Sequence, residues 1–241
     1  MPIDDPIDAA KKWNPEKKNS ALDILFDVAD KVHPIAGLIN IIQKFYSRED
    51  GERRVKALLE ALESEIRRLD ETLESVIRNL KSPEGFAEAV IEAVDASLRT
   101  SNLTKIKRFA AILGFSVTHQ DSRTDWDEVA SYIRDISQLS DQDIEALKIL
   151  YSVYAPLFSG ETIDLNPNQF VDRMKYVTEA IQKARMQPDE FYSRCSRLNG
   201  FGLAIEVQKT PNVGFGQYCY RPTMRGKRLM TMIQHLENKD Q

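Results

Sequence analysis

The chain has 241 residues, 42% of them hydrophobic and 29% charged, with a formal net charge of −4 at pH 7. That is enough to bury a core in one large or two small domains, and the charge excludes a polycation that coats nucleic acid along its whole length. Ten glycines and ten prolines are few for this length and favour long helices over a loop-rich sandwich.

Residues 1–19 are polar, carry three prolines and two Lys-Lys pairs, and read as an arm that Trp13 could anchor. The arm lacks the basic start and apolar core of a signal peptide. No window reaches the roughly 18 continuous apolar residues of a membrane span. The expectation is therefore a cytoplasmic protein of bacterial type. A helix opens at Ser20, with Leu22, Leu25, Phe26, Ala29 and Val32 on one face, and Pro34 ends or kinks it. The stretch from Ile35 to Ile42 is the most hydrophobic in the chain. It reads as a buried core helix or as a membrane-active segment, too short to span and interrupted by Asn40.

Between Glu52 and Leu80 the apolar positions are Val55, Leu59, Leu62, Ile66, Leu69, Leu73, Val76 and Leu80. Steps alternating between four and three are a heptad repeat, which predicts a long helix packing at a shallow angle on a partner. That partner is either another helix of the same chain or a second copy, in a homodimer through Val55–Leu80. Ser82 and Pro83 then cap and open a helix bearing Phe86, Val90, Ile91, Val94 and Leu98. Leu103 to Val117 is a further helix, with Ile106, Phe109, Ala110, Ile112, Leu113 and Phe115 apolar. Its Lys105, Lys107 and Arg108 read as a solvated basic face. After a break at His119–Asp125, Trp126, Val129, Tyr132, Ile133 and Ile136 predict another helix.

A boundary falls near Leu139. Ser140 is a helix N-cap followed by an acidic first turn, and Ile144, Leu147, Ile149, Leu150 and Val153 form a core stripe. Gly160–Pro167 reads as a loop. A second helix runs from Asn168 to Arg185 with Phe170, Met174, Val177 and Ile181, and Met186–Pro188 turns into a third, carrying Phe191, Tyr192, Cys195 and Leu198. Gly200 and Gly202 break it. Leu203–Val207 and Tyr218–Tyr220 read as strands flanking turn-rich Thr210–Gly216, and Thr223 opens a last helix from Met224 to Ile233. Both cysteines, Cys195 and Cys219, sit among apolar neighbours and read as small buried hydrophobes.

No catalytic chemistry is legible. The three histidines follow no metal spacing, and there is no Cys-x-x-Cys, no phosphate-binding glycine loop and no nucleophile elbow. The reading is a non-enzymatic binding protein without metal or cofactor.

The order from Pro188 to Ile233, with "Leu…Gly-Leu" into a hairpin and "Tyr…Thr…Gly…Leu" out of it, resembles the distal part of a winged helix-turn-helix domain. The resemblance implies a recognition helix for the major groove and a wing beside it. It places Arg194 and Arg197 on the recognition helix, Lys209, Asn212 and Gln217 on the wing, and Arg221, Arg225, Lys227 and Arg228 within reach of phosphates. Seven basic residues against three acidic ones between Pro188 and Leu236 agree with that role. Asp189 and Glu190, which open the helix, oppose it. The implied partner is duplex DNA. The alternative is a protein-docking module with a degenerate wing that presents Phe201, Phe215, Tyr218 and Tyr220. The overall layout, with Lys105–Leu113 in its front half, also resembles uncharacterised bacterial and prophage proteins of the abortive-infection alpha group, which implies phage defence or its counteraction. The expected fold is mainly α: an arm over 1–19, a helical bundle with a long heptad-bearing helix over 20–138, and a winged-helix-like domain with a small β-hairpin over 139–241.

Overall fold

The computed structural model describes residues 49–68, 82–119, 125–159, 162–163, 167–207 and 219–237. Their fold is mainly helical, and they divide into two compact units between Ser137 and Gln138. The arm with Trp13, the Ile35–Ile42 segment and the Leu69–Leu80 half of the heptad stripe lie outside the described residues.

In the first unit the helices are α1 (Glu49–Arg68), α2 (Pro83–Leu98), α3 (Leu103–Thr118) and α4 (Trp126–Gln138). The heptad positions Val55, Leu59, Leu62 and Ile66 are all buried, joined by Leu58. They pack on α3 and α2 of the same chain, so this half of the stripe already has its partner. Burying side chains of this size contributes about 1.5–3 kcal/mol each, which is why the period is so clean.

Capping sets the helix starts where the sequence places them. Ser82 Oγ accepts from Gly85 N with Pro83 at the first position, and Asn102 Oδ1 accepts from Thr104 N at 2.9 Å. Asp125 Oδ1 accepts from Asp127 N and Glu128 N, satisfying two orphan donors of α4. The predicted face of α4 (Trp126, Val129, Tyr132, Ile133, Ile136) is buried throughout, and the Trp126 ring meets Phe86 edge-on at 5.6 Å.

α3 corrects the sequence reading. It is buried nearly all round, Arg108 included at 3% exposure. Lys105 is not a free solvated cation, since its Nζ donates to the Ser137 carbonyl at 2.9 Å. Only Lys107 of the three is exposed. A helix covered on several sides shows weak amphipathic contrast, and long basic side chains can carry their stems through apolar surroundings.

The second unit contains α5 (Asp141–Tyr154), a short 3-10 turn (Ala155–Leu157), β1 (Phe158–Ser159), β2 (Thr162–Ile163), α6 (Pro167–Lys183), α7 (Pro188–Gly200), β3 (Ala204–Val207), β4 (Cys219–Pro222) and α8 (Met224–Glu237). α5 is the hub, in contact with α6, α7, α8 and β4. Ile144, Leu147, Leu150 and Tyr154 on α5 are at most 1% exposed. Around them close Val177 and Ile181 from α6, Phe191, Cys195 and Leu198 from α7, and Leu229, Met230 and Ile233 from α8.

The β3–β4 pair is antiparallel, with Ala204 opposite Pro222 and Val207 opposite Cys219. A second pair, β1–β2, places Phe158 opposite Ile163, so that β2 lies within the stretch read as a loop, Gly160–Pro167, and β1 just ahead of it. The final helix extends beyond Ile233 to Glu237.

Candidate nucleic-acid interface

The α6–α7 connection defines the site. Met186 N donates to Ile181 O and Arg185 N to Gln182 O, the paired bonds that finish a helix with a left-handed residue between them. That residue is Arg185, at φ 54°. It is the only non-glycine with positive φ among the described residues. Ala184–Gln187 thus form a four-residue turn, and Pro188 starts α7 with its φ already set.

The far end of α7 closes by the same device. Leu203 N donates to Leu198 O and Gly202 N to Asn199 O, with Gly202 at φ 68°. The chain then enters β3. On leaving β4, Thr223 N donates to Leu203 O, and Thr223 Oγ1 accepts from Gly226 N at 3.0 Å as the cap of α8. Gly226 is held close to the strand entry, since a Cβ there would lie 2.1 Å from Leu203 O. Helix, hairpin and following helix are therefore joined by short, hydrogen-bonded corners.

The buried stripe of α7 (Phe191, Cys195, Leu198) leaves Asp189, Ser193, Ser196, Arg197 and Asn199 exposed. Sequence reasoning passed over Ser193, Ser196 and Asn199, although they complement the apolar stripe at helical spacing. Burial pushes the Cys195 thiol pKa strongly upward, which leaves it without thiolate character.

Arg194 and Arg197 do not simply project outward. Asp143, whose side chain is fully buried, accepts from Ser140 N at 2.7 Å and from Ser140 Oγ at 2.8 Å, while Asp143 N donates back to Ser140 Oγ. This reciprocal cap opens α5. The same carboxylate faces both arginines: Arg194 Nη1 stands 3.5 Å from Oδ1 and Arg197 Nε 3.5 Å from Oδ2. Arg194 also donates to Gln142 Oε1 and reaches Glu190, and Arg197 donates to the Gln138 carbonyl at 2.7 Å. Their side chains are 26% and 46% exposed. The two residues clamp α7 to the start of α5, and Arg197 keeps one flank in solvent.

The remaining candidates belong to the hairpin and the helix that follows it. Arg221 sits on β4 opposite Ile205, which is 42% exposed. Arg225, Lys227 and Arg228 occupy the first turns of α8; Arg228 is exposed and the other two are half-buried. Lys209, Asn212 and Gln217 lie outside the described residues. Among the described residues no helix is long and apolar enough to cross a membrane, and no group of three or more His, Cys, Asp or Glu could hold a metal ion. Compared with known proteins, the chain matches no protein-family model, no curated protein and no solved structure.

Proposed function

We propose that the second unit is a winged-helix-like module that binds duplex DNA as a regulator, without catalysis. The supporting observation is the succession of α6, a four-residue turn through a left-handed residue, α7, and a hairpin joined directly to the end of α7. A helix-turn-helix joins its two helices by a turn of this length, and in DNA-binding members the second helix reads the major groove.

Electrostatics assign the contacts along α7. Asp189 and Glu190 open the helix and repel phosphate, so contact falls on its later turns, where Ser196, Arg197 and Asn199 are exposed. Serine and asparagine both donate and accept, the chemistry that base edges require. Arg221, Arg225, Lys227 and Arg228 supply the backbone contacts, which fix register and carry most of the affinity. Arg194 acts through the fold, by holding α7 against Asp143.

A mobility-shift titration with random duplex DNA at low and high salt tests the reading. The expected result is a shift at low ionic strength that weakens steeply as salt rises. No shift at any salt overturns it and leaves the surface to a protein partner.

A further inference from the structure

We infer that Arg185, in the turn between α6 and α7, contacts a phosphate of the DNA backbone. The inference rests on the reading of this unit as a DNA-binding module and adds to it a contact from outside α7. Arg185 holds φ 54°, in the left-handed region, where a side chain is sterically disfavoured and glycine is the usual occupant at a helix end. Arginine brings nothing to the turn itself. The two hydrogen bonds that finish α6 join Met186 N to Ile181 O and Arg185 N to Gln182 O, backbone atoms throughout. Glycine would make both without the strain.

The guanidinium has no task within the fold either. Arg185 is exposed, and its side chain makes no hydrogen bond or ion pair with any described residue. Arg194 and Arg197, by contrast, both face Asp143, and in the first unit Arg68 and Arg134 face Glu65 and Glu92. A disfavoured backbone conformation that carries an unengaged charge points to a partner outside the fold. The surrounding charge suits an anion. Between Lys183 and Asp189 the charged residues are Lys183, Arg185 and Asp189, all exposed, so the stretch is basic on balance. Glu190, the next carboxylate, is already answered by Arg194 at 3.5 Å.

In a DNA-bound helix-turn-helix the first helix crosses the sugar-phosphate backbone and the second enters the groove. The turn passes from one to the other, so a cation there meets phosphate rather than a base edge. The planar fork of arginine gives two parallel hydrogen bonds to one phosphate. Asp189 and Glu190 keep phosphate away from the first turn of α7, and Arg185 supplies the opposing charge from outside that helix. Because replacing Arg185 by glycine also relieves strain, the contact has a signature that a structural role lacks: affinity falls while stability does not.

Binding of random duplex DNA by the full-length chain is measured across a salt series for the wild type, Arg185→Gly, Arg185→Lys and Lys107→Ala. The last removes an equal charge from an exposed position in the first unit. In Arg185→Gly, affinity at low salt should fall about tenfold, the loss of one good charge-assisted contact. The slope of log K against log salt should become shallower by about 1, and the thermal midpoint should not fall. Arg185→Lys, which still neutralises one phosphate, and Lys107→Ala should both keep the wild-type slope. Suppose the wild type binds with salt dependence. An unchanged slope in Arg185→Gly, an equal loss of slope in Arg185→Lys or Lys107→Ala, or a lower midpoint in Arg185→Gly then overturns this inference and leaves the DNA reading standing. Absence of salt-dependent binding by the wild type overturns both.

Discussion

Asp143 ties two helices of the second unit together. Its fully buried carboxylate closes a capping box with Ser140 and faces two guanidinium groups from α7, more than fifty residues away. Losing a helix cap costs about 1 kcal/mol, and leaving buried or half-buried charges without their counter-ion costs more. Asp143→Ala is therefore expected to destabilise the protein by about 3 kcal/mol, read from urea unfolding. Asp143→Asn, which can still cap, should lose about 2 kcal/mol by removing only the charge. A neutral Asn variant would mean that the ion pairs contribute nothing. The cap was legible in Ser140-Asp141-Gln142-Asp143 because it is local. The clamp was not, since nothing in the spacing of Arg194 and Arg197 points to a carboxylate on another helix. They read as outward-facing until the fold brings the helices together.

At the scale of the elements, strongly periodic or clearly capped segments were legible and weakly patterned ones were not. The heptad of α1 and the stripes of α4, α5 and α7 are buried as the spacing requires. Two-residue strands such as β1 and β2 are too short to show a period, and the all-round burial of α3 hides the placement of Arg108. Because Leu59 is buried against neighbouring helices of its own chain, Leu59→Ala should cost about 2–5 kcal/mol of stability. Sedimentation of the folded variant should match the wild type, and a change in oligomeric state without a loss of stability would contradict the intrachain assignment. In the α6–α7 turn, a left-handed arginine strains the backbone by about 1–2 kcal/mol relative to glycine. Arg185→Gly should accordingly raise stability by about 1 kcal/mol, after part of the gain is lost to the greater freedom of the unfolded chain. A fall in the thermal midpoint would mean that the arginine side chain makes contacts worth more than the strain.

For the molecule as a whole, the charge of −4 conceals a division of labour. Acidic residues dominate the front of the sequence, while the segment from Pro188 to Leu236 is basic. The structure adds a finer division inside that segment. Arg194 serves the fold through Asp143, Arg197 pairs with the same carboxylate while keeping one flank in solvent, and Arg221 and Arg228 lie on the hairpin and the helix that follows it. Nucleic-acid affinity should therefore track the hairpin end of the unit. The salt dependence of duplex DNA binding, compared between the wild type and Arg221→Ala/Arg228→Ala, tests this most directly. The account predicts that log K falls linearly with log salt in both proteins, and that the slope is shallower by about 2 in the variant, one for each phosphate contact removed. Identical slopes in two folded proteins, or no salt-dependent binding by the wild type, would contradict it.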